Sequence, residues 1–170
     1  VRGAAVQTLG VLGGLEQVPD LVALAQKTQN ASERGDIEKA LLAVSGRSGV
    51  ACVKELLPLM KSSDGSLRMV GLHALAIVGG PDALAAVKTA IGDKDEAVQD
   101  EAVRTLSTWP NNWPNDAAAA EVLLALTKTD KKVSHQVLGV RGYLQYIRGA
   151  EALAGDQKLA RVKDLLSRIQ

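Results

Sequence analysis

Val1-Arg-Gly-Ala-Ala-Val-Gln-Thr-Leu-Gly-Val-Leu-Gly-Gly14 returns, conservatively changed, as Leu67-Arg-Met-Val-Gly-Leu-His-Ala-Leu-Ala-Ile-Val-Gly-Gly80. Related copies recur every 31 to 34 residues, the mark of an array whose repeats bury their apolar faces on one another. Ala5, Val6, Leu9 and Leu12 have the i, i+3, i+4, i+7 spacing of one helical face. An offset of 66 carries them to Gly71, Leu72, Leu75 and Val78, and one of 97 to Ala102, Val103, Leu106 and Trp109. A looser copy from Glu33 to Gly46 puts Leu41 and Val44 in the same stripe at an offset of 32. Each stripe is followed by a second apolar pair, Leu21 with Leu24, Val53 with Leu56, Leu84 with Val87 and Leu123 with Leu126, so each repeat is read as two helices.

The punctuation agrees with this division. Gly13-Gly14 and Gly79-Gly80 can supply left-handed helix ends, and Pro81 suits the first turn of the helix that follows. Asp20, Asp82 and Asp116 are expected near the starts of second helices, where a carboxylate caps free amides. A fifth pair is expected from Val133 to about Arg148 and from Asp156 to Ile169. Gly139 and Gly142 within it each cost about 1 kcal/mol relative to Ala, a cost that close helix approach would offset. The predicted fold is all-α, a right-handed α-α superhelix of about five helix pairs filling residues 1–170, with repeats near 1–30, 31–64, 65–94, 95–130 and 131–170.

Composition narrows the function classes. Hydrophobic residues make up 46% of the chain, yet it has no Phe, two Trp and two Tyr, so the core is built from Leu, Val, Ile and Ala. Small aliphatic side chains suit a close stack of helices better than an aromatic-lined pocket. Twenty basic residues against nineteen acidic ones give a net charge of +1, which disfavours nucleic acid as a bulk partner. The single cysteine, Cys52, sits between Ala51 and Val53 and reads as a small buried hydrophobe. No membrane span and no signal peptide is visible, although the chain opens at Val1 inside a repeat, as an internal or C-terminal fragment of a longer chain would.

The stretch Gly92-Asp-Lys-Asp-Glu-Ala-Val-Gln-Asp-Glu-Ala-Val-Arg-Thr-Leu106 resembles the inter-repeat signature of HEAT repeats, in particular the bacterial PBS-lyase HEAT-like variety: an acidic turn, a valine, then alanine and leucine on the next helix. The segments Arg104-Thr-Leu-Ser-Thr-Trp-Pro110 and Val140-Arg-Gly-Tyr-Leu-Gln-Tyr146 look similar to HEAT segments of large multidomain bacterial proteins. The resemblance covers nearly the whole chain and concerns architecture. It implies a scaffold whose second helices line a concave face; the lyase activity found in some relatives is not implied, because the chain carries no lyase motif.

Two features depart from pure stacking. From Leu75 to Leu84 is nine residues and from Leu9 to Leu21 twelve, whereas from Leu106 to Leu123 is seventeen, and the extra residues fall in Pro110-Asn-Asn-Trp-Pro-Asn115. Trp109 takes a stripe position and reads as core. Asn111, Asn112, Trp113 and Asn115 either form a contact surface or cap the helix ends, and the residues alone leave both readings open. The second feature is Lys27, Lys61, Lys88 and Lys128, each near the end of a second helix. They would make an anion-binding line on the concave face, or merely answer the helix dipole. Arg2, Arg34 and Arg68 coincide under the repeat offsets, with Gln99 at the next, and are expected to form a ladder to acidic turns or an anion site. Arg141, Tyr143, Tyr146 and Arg148 form a mixed face of half-buried packing.

Neither His73 nor His135 has Cys, Asp or Glu at metal-ligand spacing, and no phosphate loop, dinucleotide fingerprint or nucleophile elbow occurs. No catalytic residue, cofactor or metal is expected. The sequence therefore points to a non-catalytic scaffold for a protein partner or a neighbouring domain. The alternatives are a DNA-binding protein of the HEAT-like DNA glycosylase type, and an accessory domain of a larger bacterial enzyme.

Overall fold

The computed structural model describes residues 2–129 and 132–168, all of them in helices and the turns between them. Val1 and Ile169, named above as repeat positions, lie outside the described residues. The helices are α1 (Arg2–Leu12), α2 (Val18–Lys27), α3 (Ala31–Ser48), α4 (Val53–Met60), α5 (Gly65–Val78), α6 (Pro81–Ala90), α7 (Glu96–Asn112), α8 (Ala117–Thr129), α9 (Val133–Gly149) and α10 (Gly155–Arg168). This is the all-α helical-repeat architecture expected, each repeat a first and a second helix. The chain divides into two compact units, Val1–Val98 and Gln99–Gln170.

In the first unit the first helices pack in sequence, α1 on α3 and α3 on α5, while α2 packs on α4 and α4 on α6 in a parallel row. The apolar stripe is what joins them: Leu41, Val44, Leu72, Leu75 and Val78 from the first helices are fully buried with Leu21, Leu56, Leu59, Ala83 and Val87 from the second. Caps fix where the helices begin. Asn30 Oδ1 accepts the Glu33 amide at the head of α3, and Asp64 Oδ1 accepts the Ser66 amide at the head of α5. At the head of α6, Gly79 and Gly80 adopt positive φ (69° and 87°), a backbone open to glycine, and Pro81 begins the helix as expected.

Two expectations need correction here. Leu12 is 78% exposed and Ala5 is also exposed, while Leu9 is half-buried, because among the described residues α1 is covered by α3 on one flank. Gly13 and Gly14 do not form a left-handed end: positive φ occurs at Gly49, Gly79 and Gly80. Glycine at 13 answers crowding instead, since a Cβ there would stand 2.5 Å from the Leu9 carbonyl oxygen and 3.2 Å from Val44 Cγ2.

The second unit is assembled on glycines. α8 packs on α9, and α10 packs on both. A Cβ at Gly139 would lie 2.9 Å from the Leu123 carbonyl oxygen, and one at Gly142 would lie 2.9 Å from Ser107 Cα, so bare backbone lets α9 settle against α8 and α7. The predicted close approach is real. Leu106, Trp109, Leu123, Tyr143 and Leu165 fill the core, while Leu159 and Leu166 of α10 are about half exposed.

Candidate functional site

The charged inter-repeat turns are occupied by contacts within each unit. Arg34 of α3 donates through Nη1 to Asp64 at 2.9 Å and to the Ser66 hydroxyl, and through Nη2 to the Thr28 carbonyl. Arg68 of α5 is buried and grips Asp93 with two parallel bonds of 2.9 Å, from Nε and Nη2, while Nη1 reaches the Ser62 carbonyl at 2.7 Å. One guanidinium therefore binds an end of the preceding second helix and the acidic turn that opens the next repeat. Arg2 approaches Glu33 at 3.7 Å on the surface. The arginine register found in the sequence is thus a stacking ladder.

In the second unit the polarity of the ladder reverses. Asp100 of α7 accepts from Lys132 at 2.6 Å and bonds Nε2 of buried His135 at 2.8 Å, so the acid lies on the earlier helix and its partners at the head of the later one. Sequence reasoning missed this pair, although Asp100 and Lys132 stand one repeat apart. His73 is equally explained by packing, since its Nδ1 lies 2.7 Å from Glu38 on α3.

These partners set the ionisation of the acids. At Asp64 the Ser66 hydroxyl, helped by Arg34, holds the carboxyl below its ordinary range. Burial works against the Asp93 carboxylate, but the Asp95 amide and the Arg68 guanidinium outweigh it and the pKa is lowered. Lys132 first and His135 second lower that of Asp100. Burial pushes the Cys52 thiol up, in keeping with its expected inert role.

The insertion is more ordered than its composition implies. Rather than beginning a loop at Pro110, α7 runs on to Asn112: Pro110 is buried and the Trp113 amide closes the last turn on the Trp109 carbonyl at 3.0 Å. Trp109 is 1% exposed, as its stripe position predicts, and its indole Nε1 donates to Asp116 at 2.9 Å. Asp116 also accepts the Ala119 amide, capping α8. Asn111 and Asn112 are exposed at the end of α7, and Trp113 is half-buried. Asn115 is exposed, but its side-chain oxygen accepts the Glu151 amide and ties this segment to the turn after α9.

Lys27, Lys61, Lys88 and Lys128 lie where the sequence puts them, exposed in or just beyond the last turns of α2, α4, α6 and α8. The first three belong to one unit, and among the described residues none of these three has an ion-pair partner. Next to one of them, Lys61, lies a feature the sequence did not reveal, an open groove of about 340 Å³ between α4 and α6. Leu57, Met60, Ala86 and Ala90 line most of its wall, with Thr89, Gly92 and Asp93 beside them and Lys61 at its rim. Leu57 and Met60, apolar residues of the short helix α4 that stand outside the repeating pair Val53 and Leu56, are the signal that could have foretold it. Among the described residues no group of three or more His, Cys, Asp or Glu can hold a metal, and no helix is long and apolar enough to cross a membrane.

The profile of HEAT repeats matches residues 51–138. No curated protein sequence matches the chain. A crystal structure of an engineered protein is similar at 19% identity and a TM-score of 0.46, over 98% of this chain and 82% of that one.

Proposed function

Because the chain belongs to the HEAT repeat proteins, a class that generally serves as protein-interaction scaffolds, we propose that it is a non-catalytic scaffold binding a protein partner or a neighbouring domain through the exposed arc of α2, α4 and α6. The observation that carries this reading is the division of labour among charges in residues 2–98. Arg34, Arg68, Asp64 and Asp93 are engaged in holding repeats together, whereas Lys27, Lys61 and Lys88 face solvent, Lys61 at the edge of a largely apolar groove. A preordered surface of this kind loses little conformational entropy on binding, which is the physical advantage of a stacked array.

Crosslinking of the full chain in an extract of its source cells, read by mass spectrometry, tests the proposal. Crosslinks to a macromolecule are expected at Lys27, Lys61 and Lys88 and not at Lys39, which lies on a first helix. Recovery of no macromolecular partner, together with substrate turnover by the isolated chain, would overturn the scaffold reading.

A further inference from the structure

The groove and the lysines specify what kind of segment fits them. We infer that α2, α4 and α6 receive an acidic amphipathic helix of a partner protein, its aliphatic side chain seated between α4 and α6 and its carboxylates over Lys27, Lys61 and Lys88. The inference rests on the scaffold reading and adds the chemistry of the occupant.

Three features of the arc lead to it. First, Leu57, Met60, Ala86 and Ala90 make most of the groove's wall aliphatic and it is open to solvent, so a leucine-sized side chain gains burial there; of the polar groups beside it, Thr89 and Asp93, the Asp93 carboxylate is already held by Arg68. Second, the arc has two charged rims. Lys27, Lys61 and Lys88 mark the C-terminal ends of the three helices, whereas Asp20, Glu55 and Asp82 occupy their first turns. Asp20 and Lys27 are seven residues apart on one helix, which separates the rims by about 10 Å. A segment lying across the helices therefore meets the three lysines along one flank and, along the other, Asp20, Glu55 and Asp82 with Lys54 among them, which favours one orientation of a charged ligand. Third, packed helices stand about 8–10 Å apart, and carboxylates seven residues apart on a helical ligand are separated by about 10.5 Å. A glutamate every second turn thus meets one lysine per repeat.

Lysine suits this task physically. Its ammonium sits on a flexible stem and follows a partner carboxylate without a fixed bond angle, and opposite rims of charge select partner and register more than they add affinity.

The test uses fluorescence anisotropy with the full chain and a labelled helical peptide carrying Glu at seven-residue spacing with Leu between, alongside the same peptide with Lys for Glu. The Glu peptide should bind, and its affinity should fall as salt rises from about 50 to 300 mM, where screening shortens the reach of exposed charges. The triple substitution Lys27→Glu, Lys61→Glu, Lys88→Glu should weaken binding by at least about tenfold. Ala86→Leu, which fills the groove and leaves the lysines in place, should weaken it about as much. Lys39→Glu on α3 should change nothing, and far-UV circular dichroism of each variant checks that the fold is kept. Equal binding of the Lys peptide, or full binding by the triple variant, would overturn the inference. So would equal binding of a proline-interrupted Glu peptide, because the occupant would then not be a helix. Tight binding of duplex DNA that depends on the same lysines would overturn it in favour of a phosphate backbone. If crosslinks to a partner appear while the Glu peptide fails, the scaffold reading stands and this occupant is wrong.

Discussion

Replacing Gly142 by alanine and replacing Gly35 by alanine should move stability in opposite directions. Both glycines lie inside helices, so on helix propensity alone each substitution gains about 1 kcal/mol. At Gly35 nothing stands within 4 Å of the new methyl group and the gain survives. At Gly142 the methyl would meet Ser107 Cα and the Ser107 carbonyl oxygen at 2.9 Å, and Leu123 Cδ2 at 2.7 Å, against an ordinary contact of 3.4 Å or more. The leucine can rotate, but two of the three atoms are backbone of α7, so α9 must retreat by about 0.5 Å and loosen its contacts. Overpacking of this kind costs about 1–3 kcal/mol, and backbone on the opposing side places it near the upper end. The net expectation is a loss of about 2 kcal/mol for Gly142→Ala and a gain of about 1 kcal/mol for Gly35→Ala. In a chain of this size these correspond to a Tm about 4–8 °C lower and about 2–4 °C higher. Thermal and urea unfolding followed by far-UV circular dichroism read the whole chain, and tryptophan fluorescence reads the second unit, which holds both Trp109 and Trp113. If Gly142→Ala is as stable as wild type or more so, the close approach of α9 to α7 is not what selects glycine there.

Trp109→Phe should destabilise by about 2 kcal/mol, since it removes buried area and the indole bond to Asp116, whereas Trp113→Phe should cost under about 1 kcal/mol; equal costs in urea titrations would refute the assignment of Trp109 as the buried partner. Arg68→Lys should cost about 1–2 kcal/mol and Arg68→Ala about 3 kcal/mol, the second because Asp93 loses its partner while still largely buried; a neutral Arg68→Lys would show that the two parallel bonds are dispensable. Acid should destabilise the chain with a definite sign. Asp64, Asp93 and Asp100 have pKa values lowered by folding, so their stabilisation is full above the unfolded value of about 3.9 and is lost as pH falls through that value toward the folded ones. The urea midpoint should therefore decline below about pH 5, and Asp93→Asn should flatten part of that decline; an unchanged slope would remove Asp93 from the account.

Much of the fold was legible because the stacking rule repeats. Leu41, Leu75 and Leu106 share a register and are all fully buried, and the arginines in the same register meet acidic turns. Local rules failed where a residue's role depends on what lies across from it. Gly13 has the look of a left-handed helix end, but crowding selects glycine there, from the Leu9 carbonyl of α1 first and then from Val44, thirty-one positions away in sequence. The extra residues from Pro110 to Asn115 break the repeat spacing without breaking the helix at once, since a proline near a helix end forfeits one amide bond, and the buried ring and the Trp113 bond carry α7 past it. The groove between α4 and α6 belongs to no single segment. It is a shape left between two helices, and a one-dimensional pattern records only that Leu57 and Met60 are apolar.

The choice of cation separates structural charge from interaction charge in this chain. At the inter-repeat junctions of the first unit, an acidic turn and a helix end present acceptors in fixed positions, and the planar guanidinium of Arg34 or Arg68 satisfies several of them at once. On the exposed arc Lys27, Lys61 and Lys88 are held by no ion pair among the described residues, and the cations there are all lysines, which carry the same charge without demanding a geometry. Burial sharpens the difference. Exchanging Arg68 strips a desolvated carboxylate of its partner, whereas exchanging Lys61 disturbs a solvated charge whose worth to stability is small. Stability should therefore follow the arginines and binding should follow the lysines, and a variant set that mixed the two effects would show that the repeat does not divide them.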